Sequence, residues 1–233
     1  MSVLWKASAA ASALVFVSAL EVSGQTVIDD REFVSWSHFS RVMDDPNAVG
    51  IGPGTSTSSG GQQDVTVGNP APAFVAVHTI RYGDLILTGG IKEDVTYAPG
   101  QSGAIGRIDV SVDLRQFVIG VTAWQLVLRQ GGKLYYSYPW REFSYGAWRS
   151  VSWEGLTAES FDTNPAAGRF GVNPDGDTPD FSAGASPLQF GIAVLNNLGR
   201  SGTVINTIAV DNFRVTLTPR DYQITGQVRD LND

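Results

Sequence analysis

The sequence predicts an all-β protein, a two-sheet antiparallel sandwich of the jelly-roll kind, on three observations. Apolar residues recur with period two along many short segments. Twenty-six glycines and eleven prolines punctuate those segments throughout the 233 residues, as turns between strands require. A stretch of about this size buries a sizeable core without staples, and the chain has no cysteine.

Taken in order, the chain opens with Lys6 as its one early positive charge, an apolar run from Ala7 to Leu20, and small residues at Val22-Ser23-Gly24. This is the pattern of a secretory signal, and the run is shorter than a membrane span needs. Residues 1–24 are therefore expected to be a leader cleaved before Gln25, residues 25–218 the sandwich, and residues 219–233 a tail or the start of another domain. No second hydrophobic segment follows, so no membrane span is expected in the mature chain. An exported chain without disulfides suits bacterial secretion.

Val27 to Phe39 reads as a strand followed by an irregular turn, although Phe33, Trp36 and Phe39 also sit at helical spacing. Asp45-Pro46-Asn47 is a turn signal, and Thr55 to Gln63, rich in Ser, Thr and Gly, reads as a flexible loop. Ala73 to Arg81 is apolar on both faces, as a central strand would be. Pro99-Gly100 is a turn. Ala104 to Asp113 alternates cleanly. Val118 to Arg129 leads through Gln130-Gly131-Gly132-Lys133 into Leu134–Tyr138, a hairpin. Trp148 to Trp153 is a further strand, and Thr157 is placed to cap one helical turn. Asn164 to Asp180 is a loop dense in Pro, Gly and Asp. Leu188–Leu195 and Val210–Leu217 are strands separated by a polar turn at Asn196–Gly202. The expected core is Phe74, Val77, Ile80, Ile105, Ile108, Val110, Leu126, Leu128, Phe190, Ile192, Phe213 and Val215.

The net charge of −7 argues against nucleic acid, which needs a basic face, and against anionic membranes. Eight aromatic residues lie between Tyr135 and Trp153. Rings offer the flat CH faces of sugars an apolar surface with a polar tip. Tyr136, Tyr138 and Trp140 would project to one side of a strand, with Arg141 beside them and Trp148 nearby. These five are the candidate ligand-binding residues, and sandwich core is the other reading of the same cluster. Asp175, Asp177 and Asp180 form an acidic loop that could offer oxygen ligands to a hard cation or simply face solvent. Catalysis finds no support: two histidines, no cysteine, no H-E-x-x-H zinc pair and no G-x-S-x-G elbow.

Three stretches carry a resemblance: the hairpin from Leu126 to Ser137, the segment Pro187–Asn197, and Ala209-Val-Asp-Asn-Phe-Arg-Val-Thr-Leu217. Together they resemble secreted bacterial proteins with a laminin-G-like or carbohydrate-binding-module-like (concanavalin-like) jelly roll. The resemblance implies a structural calcium ion held by Asp211 and an acidic residue of the first strand, among Asp29, Asp30 and Glu32. The Gly-Asn-Phe-Glu opening common to such modules is absent. The sequence as a whole points to a non-catalytic extracellular module for polysaccharide or glycoconjugate. A structural or adhesive surface protein is the second expectation, and a glycan-active enzyme the third.

Overall fold

The structure, a computed structural model, describes residues 24–45, 56–118, 121–138, 140–141, 145–169, 172–198 and 202–220. The expected leader to residue 23, the turn at Pro46-Asn47 and the segment from Tyr222 onward lie outside the described residues. Among the described residues, twelve strands form two antiparallel sheets. Sheet I runs β3 (Thr57–Asp64), β4 (Ala73–Arg81), β12 (Thr203–Pro219), β6 (Ile105–Gln116), β9 (Arg149–Leu156). Sheet II runs β10 (Phe161–Asp162), β8 (Lys133–Ser137), β7 (Val121–Gln130), β11 (Leu188–Asn197), β5 (Asp84–Lys92), β2 (Trp36–Asp44). β1 (Thr26–Asp30) also pairs with β12. The chain changes sheet at every step between successive strands except β3 to β4, β7 to β8 and β10 to β11, as a jelly-roll sandwich does.

Strand β12 is the spine of sheet I. One of its edges pairs with β6 over Ile208–Pro219. Its other edge serves β4 up to Val210 and β1 from Phe213. The change of partner coincides with a register shift between Asp211 and Arg214, where Asn212 takes φ 50°. An extra residue at such a bulge bends the strand, and asparagine is among the few side chains that tolerate this backbone region.

The alternation that predicts the strands also fills the core. On β6, Ile108, Val110, Val112 and Leu114 point between the sheets, and Trp124, Leu126 and Leu128 of β7 and Phe190, Ile192 and Val194 of β11 meet them. All of the expected core residues are buried except Val77, which is half-buried. It stands on the other face of β4 from Phe74, Ala76, His78 and Ile80, because successive side chains alternate.

Four expectations are corrected. Thr57–Asp64 is a strand, β3, rather than loop: its backbone ladders with β4. Its Gly61 admits Phe74 and His38, which a Cβ there would strike at 2.1 and 2.6 Å. Strand β5, buried along its length, is absent from the sequence reading because Thr88-Gly89-Gly90 interrupts its apolar pattern. Those glycines let Phe39, Trp36 and Phe74 lie against the strand. Pro99-Gly100 opens a short helix, α1 (Pro99–Ser102). Asn196 and Asn197 continue β11 rather than forming the turn.

Of the residues at helical spacing, Phe33 lies in the irregular turn between β1 and β2, at φ 51°, and Trp36 and Phe39 lie on β2. Trp36 packs into the inter-sheet core and Phe39 onto the outer face of sheet II. Thr157 precedes a single 3-10 turn, Ala158–Ser160, closed by Thr157 N–H donating to Ser160 Oγ at 3.1 Å. Gly131 and Gly132, at φ 57° and 81°, form the tight turn of the β7–β8 hairpin, in which Gln130 pairs with Lys133. A two-residue hairpin turn with both φ positive matches the twist of its strands.

Candidate functional site

Sheet II carries a second apolar cluster on its outer face: Leu85, Leu87, Ile91, Ala123, Val127, Tyr136, Ala193 and Leu195, with Ala166 over them and Phe39, Leu134, Trp140 and Val172 half-buried at its margin. On β8, Tyr135 belongs to the inter-sheet core and Tyr136 to this outer cluster, as strand alternation dictates. Tyr136 meets Phe39 edge-on, with ring centroids 6.4 Å apart. Burial pushes its phenol up to about 12, with Arg41 pulling slightly the other way, so the hydroxyl is a neutral hydrogen-bonding group at any ordinary pH.

Beside Tyr136 an open groove of about 440 Å³ is lined by Lys133, Leu134, Tyr136, Thr163 and Asp177. Lys133 follows the hairpin turn, and its ammonium lies 2.7 Å from Asp177. The hydrogen bond and charge of Asp177 hold the Lys133 ammonium above its usual range. Thr163 Oγ1 donates to Asp175 at 3.4 Å. The wall holding Thr163 and Asp177 is the loop that follows β10, and Asp162 accepts a hydrogen bond from near each of its ends. That residue is wholly buried and sits opposite Tyr136 in the β10–β8 ladder. One of its oxygens accepts from Asn164 N at 2.7 Å and the other from Gly176 N at 3.0 Å. Farther along, Gln130 accepts from Asp180 N at 2.8 Å and donates to the carbonyls of Asp180 and Ser186.

Of the five expected ligand residues, the structure brings Tyr136 and Trp140 to the same outer cluster. Trp140 carries the Arg169 guanidinium 4.9 Å above its ring. Tyr138 is half-buried beside Gly168 and donates its hydroxyl to the carbonyl of Glu159. Arg141 turns away: its backbone bridges Trp124, its Nε donates to Ser152 O at 3.0 Å, and its guanidinium stands 5.7 Å from the Trp153 ring. Trp148 is half-buried just before β9, in the other sheet. A common platform from Tyr136 through Trp140 is not formed, because β8 ends at Ser137 and period-two projection ends with it.

The groove's Lys133, Leu134 and Thr163 are absent from the sequence expectation, and Asp177 enters it only as a cation ligand. The available signal was modest. Leu134 and Tyr136 share a face by parity, and a Gly-Gly turn places Lys133 at the head of that face. Nothing in the sequence brings the distant Thr163 and Asp177 to it.

Each of the three expected calcium ligands is engaged by other groups of the chain. Asp30 is buried and its carboxylate is engaged by Lys92 Nζ at 2.7 Å, the Trp36 indole N–H at 2.6 Å and the backbone N–H groups of Glu32 and Phe33 at 2.9 Å. Burial opposes its ionisation, but these donors outweigh it and lower its pKa. Asp29 faces Arg31 at 3.4 Å and Arg214 at 3.7 Å. Asp211 is wholly buried and accepts from the backbone N–H groups of Asn69 and Asn212. Burial, joined by the nearby Asp113, raises its pKa against those two bonds. Asp211 and Asp113 are opposed in the β12–β6 ladder. The side-chain amides of Asn69 and Asn212 donate to Asp113. Among the described residues no three His, Cys, Asp or Glu side chains gather to hold a metal. In the acidic loop, Asp177 pairs with Lys133, Asp175 accepts from Thr163, and Asp180 accepts from Ser182 N.

No protein-family model matches the chain, and none of the curated proteins matches it. Among solved structures, a family 11 carbohydrate-binding module from Clostridium thermocellum, in complex with a β-1,3-1,4-mixed-linked tetrasaccharide, is 10% identical at a TM-score of 0.44, covering 83% of this chain and 95% of that one. The same family's module from the cellulosomal cellulase Lic26A-Cel5E of that organism is 12% identical at a TM-score of 0.44, with the same coverage. The CBM22-1 xylan-binding domain of Paenibacillus barcinonensis Xyn10C is 9% identical at a TM-score of 0.37, covering 83% and 95%.

Proposed function

We propose that the protein is a non-catalytic extracellular module that holds carbohydrate or a glycoconjugate in the groove on the outer face of sheet II. The observation that carries this reading is the convergence of Leu134 and the largely buried Tyr136 with Lys133, Thr163 and Asp177 on one open groove. Sugars pair apolar CH faces with hydroxyls, and such a lining meets both. Asp177 is the one carboxylate among the groove's described lining residues, and its oxygen is taken by Lys133. Glycoside hydrolysis ordinarily uses two carboxylates facing the scissile bond, so the lining favours holding over cleaving. The leader pattern of residues 1–24 supports work outside the cell.

A second reading, a structural or adhesive domain with no sugar site, is favoured by the burial of Tyr135, Tyr136 and Trp153. Affinity electrophoresis through gels containing soluble β-glucan, xylan or galactan separates the two. The wild type is expected to be retarded by at least one of these. Lys133→Ala and Asp177→Ala remove exposed side chains whose ion pair adds little to stability. Each is expected to weaken retardation about tenfold, the usual scale of a lost hydrogen bond to a charged group. No retardation by any polysaccharide, or retardation that both variants leave unchanged, refutes the proposal.

A further inference from the structure

The groove's far wall has no regular secondary structure between Thr163 and Asp177 in its described parts, yet it presents two lining side chains to a strand surface. A loop of this kind is mobile unless its ends are tied. Its middle packs on sheet II through Ala166 and Val172, and the two hydrogen bonds at its ends meet in one residue. Asp162 accepts from Asn164 N with one oxygen and from Gly176 N with the other, and these amides flank the loop at its start and finish. Thr163 and Asp177 are the immediate neighbours of the two tethered residues.

We infer that Asp162 is the positioning residue of the groove, closing the loop into a fixed wall and so setting the distance of Thr163 and Asp177 from Tyr136. The value of that fixed wall for sugar binding rests on the function proposed above. The chemistry requires a carboxylate here. Two converging N–H donors need two acceptor oxygens, and a carboxylate is acceptor-only. Asparagine has the same shape but turns an NH2 group toward one of the donors. The side chain is wholly buried, so water does not replace the lost acceptor, and an unmade buried bond carries its full desolvation cost. The strand side is rigid by comparison: Asp162 itself is held opposite Tyr136 in the β10–β8 ladder, and β8 pairs with β7.

The test is Asp162→Asn in the full chain, read by amide hydrogen exchange and by affinity electrophoresis on whichever of β-glucan, xylan or galactan retards the wild type. Exchange within residues 163–177 is expected to rise about 10- to 100-fold, the range that one lost buried hydrogen bond implies. Exchange in β7 and β11 should stay unchanged, and polysaccharide affinity should fall about tenfold. Val215→Ala is the control: it thins the inter-sheet core, lowers melting, and is expected to leave both the loop's exchange and the affinity near wild type. Wild-type exchange of residues 163–177 in Asp162→Asn overturns the inference. So does loosened exchange with undiminished affinity, since the wall would then not set the groove. If the wild type binds no polysaccharide, the proposed function falls, and the exchange result alone decides whether Asp162 fixes the loop.

Discussion

At the scale of single residues, the interior holds polar groups whose burial shifts their ionisation. His78 of β4 is wholly buried, faces Asn206 across the β12 ladder and has Asn196 Nδ2 3.4 Å from its Nδ1. Its Nε2 and that of His38 have no hydrogen-bond partner among the described residues. Burial, with His38 adding a like charge, lowers its pKa from 6.5 to about 4. A folded-state pKa below the unfolded one means the unfolded chain binds the extra proton. The stability His78 contributes is therefore complete above pH 6.5 and is lost as pH falls toward 4. The 1.5 units from 6.5 to 5 correspond to about 2 kcal/mol. Denaturant titrations at pH 7 and pH 5 should show that loss in the wild type and a much smaller one in His78→Gln. An equal loss in both would place the acid sensitivity elsewhere. Nothing in the sequence reveals this: His78 occupies one position of a regular strand alternation, and its partners come from β11 and β12, far along the chain. The same holds for Asp30, whose position in the first strand is legible but whose cation is the ammonium of Lys92.

At the scale of elements, period two was the dependable signal wherever a long run of apolar residues kept its alternation, as on β4, β6, β7, β11 and β12. It failed on β3 and β5, where glycines such as Gly61, Gly89 and Gly90 admit neighbouring rings and interrupt the apolar pattern. Gly191 of β11 shows how tight this is: a Cβ there would lie 2.0 Å from the Gly90 carbonyl oxygen and 2.8 Å from Ile91. Composition alone marks such residues as turn formers, so a Gly-rich strand reads as a loop until its neighbours are known. Gly191→Ala must force β11 and β5 apart, and overpacking of this kind costs about 1–3 kcal/mol. The variant's denaturation midpoint should fall accordingly, while Gly131→Ala, in the open β7–β8 turn with nothing within 4 Å, should be limited to the strain of its positive φ. Midpoints of the two variants that fall in the opposite order would contradict the assigned contact. The groove escaped the sequence for a related reason: one wall is a strand face, legible by parity, and the other is a loop whose place is set by Asp162 and Gln130.

Across the whole molecule, the sandwich is closed by its ion pairs and core rather than by a gathered metal site among the described residues. Calcium, the ion that the resemblance implies, is tested by melting with and without a chelator in scanning calorimetry. A fall of several degrees on chelation would show a cation site beyond the carboxylates discussed. Lys92→Met, by contrast, leaves Asp30 charged and buried without its ammonium, and removing one partner of a buried pair typically costs about 3–5 kcal/mol. Architecture was largely readable because alternation reports which side of a strand is greasy; pairing order was not, since it depends on meetings between distant segments such as β1 with β12. That last pairing has a mechanical side. Thr26 lies opposite Leu217 and Asp30 opposite Phe213, so β1 enters and β12 leaves the sandwich at one corner. Tension applied through both ends would peel β1 away like a zip, one rung at a time from the corner inward, instead of loading all the rungs in shear. Under a stretching force the first strand is the fuse, and the rest of the sandwich would hold while it lets go.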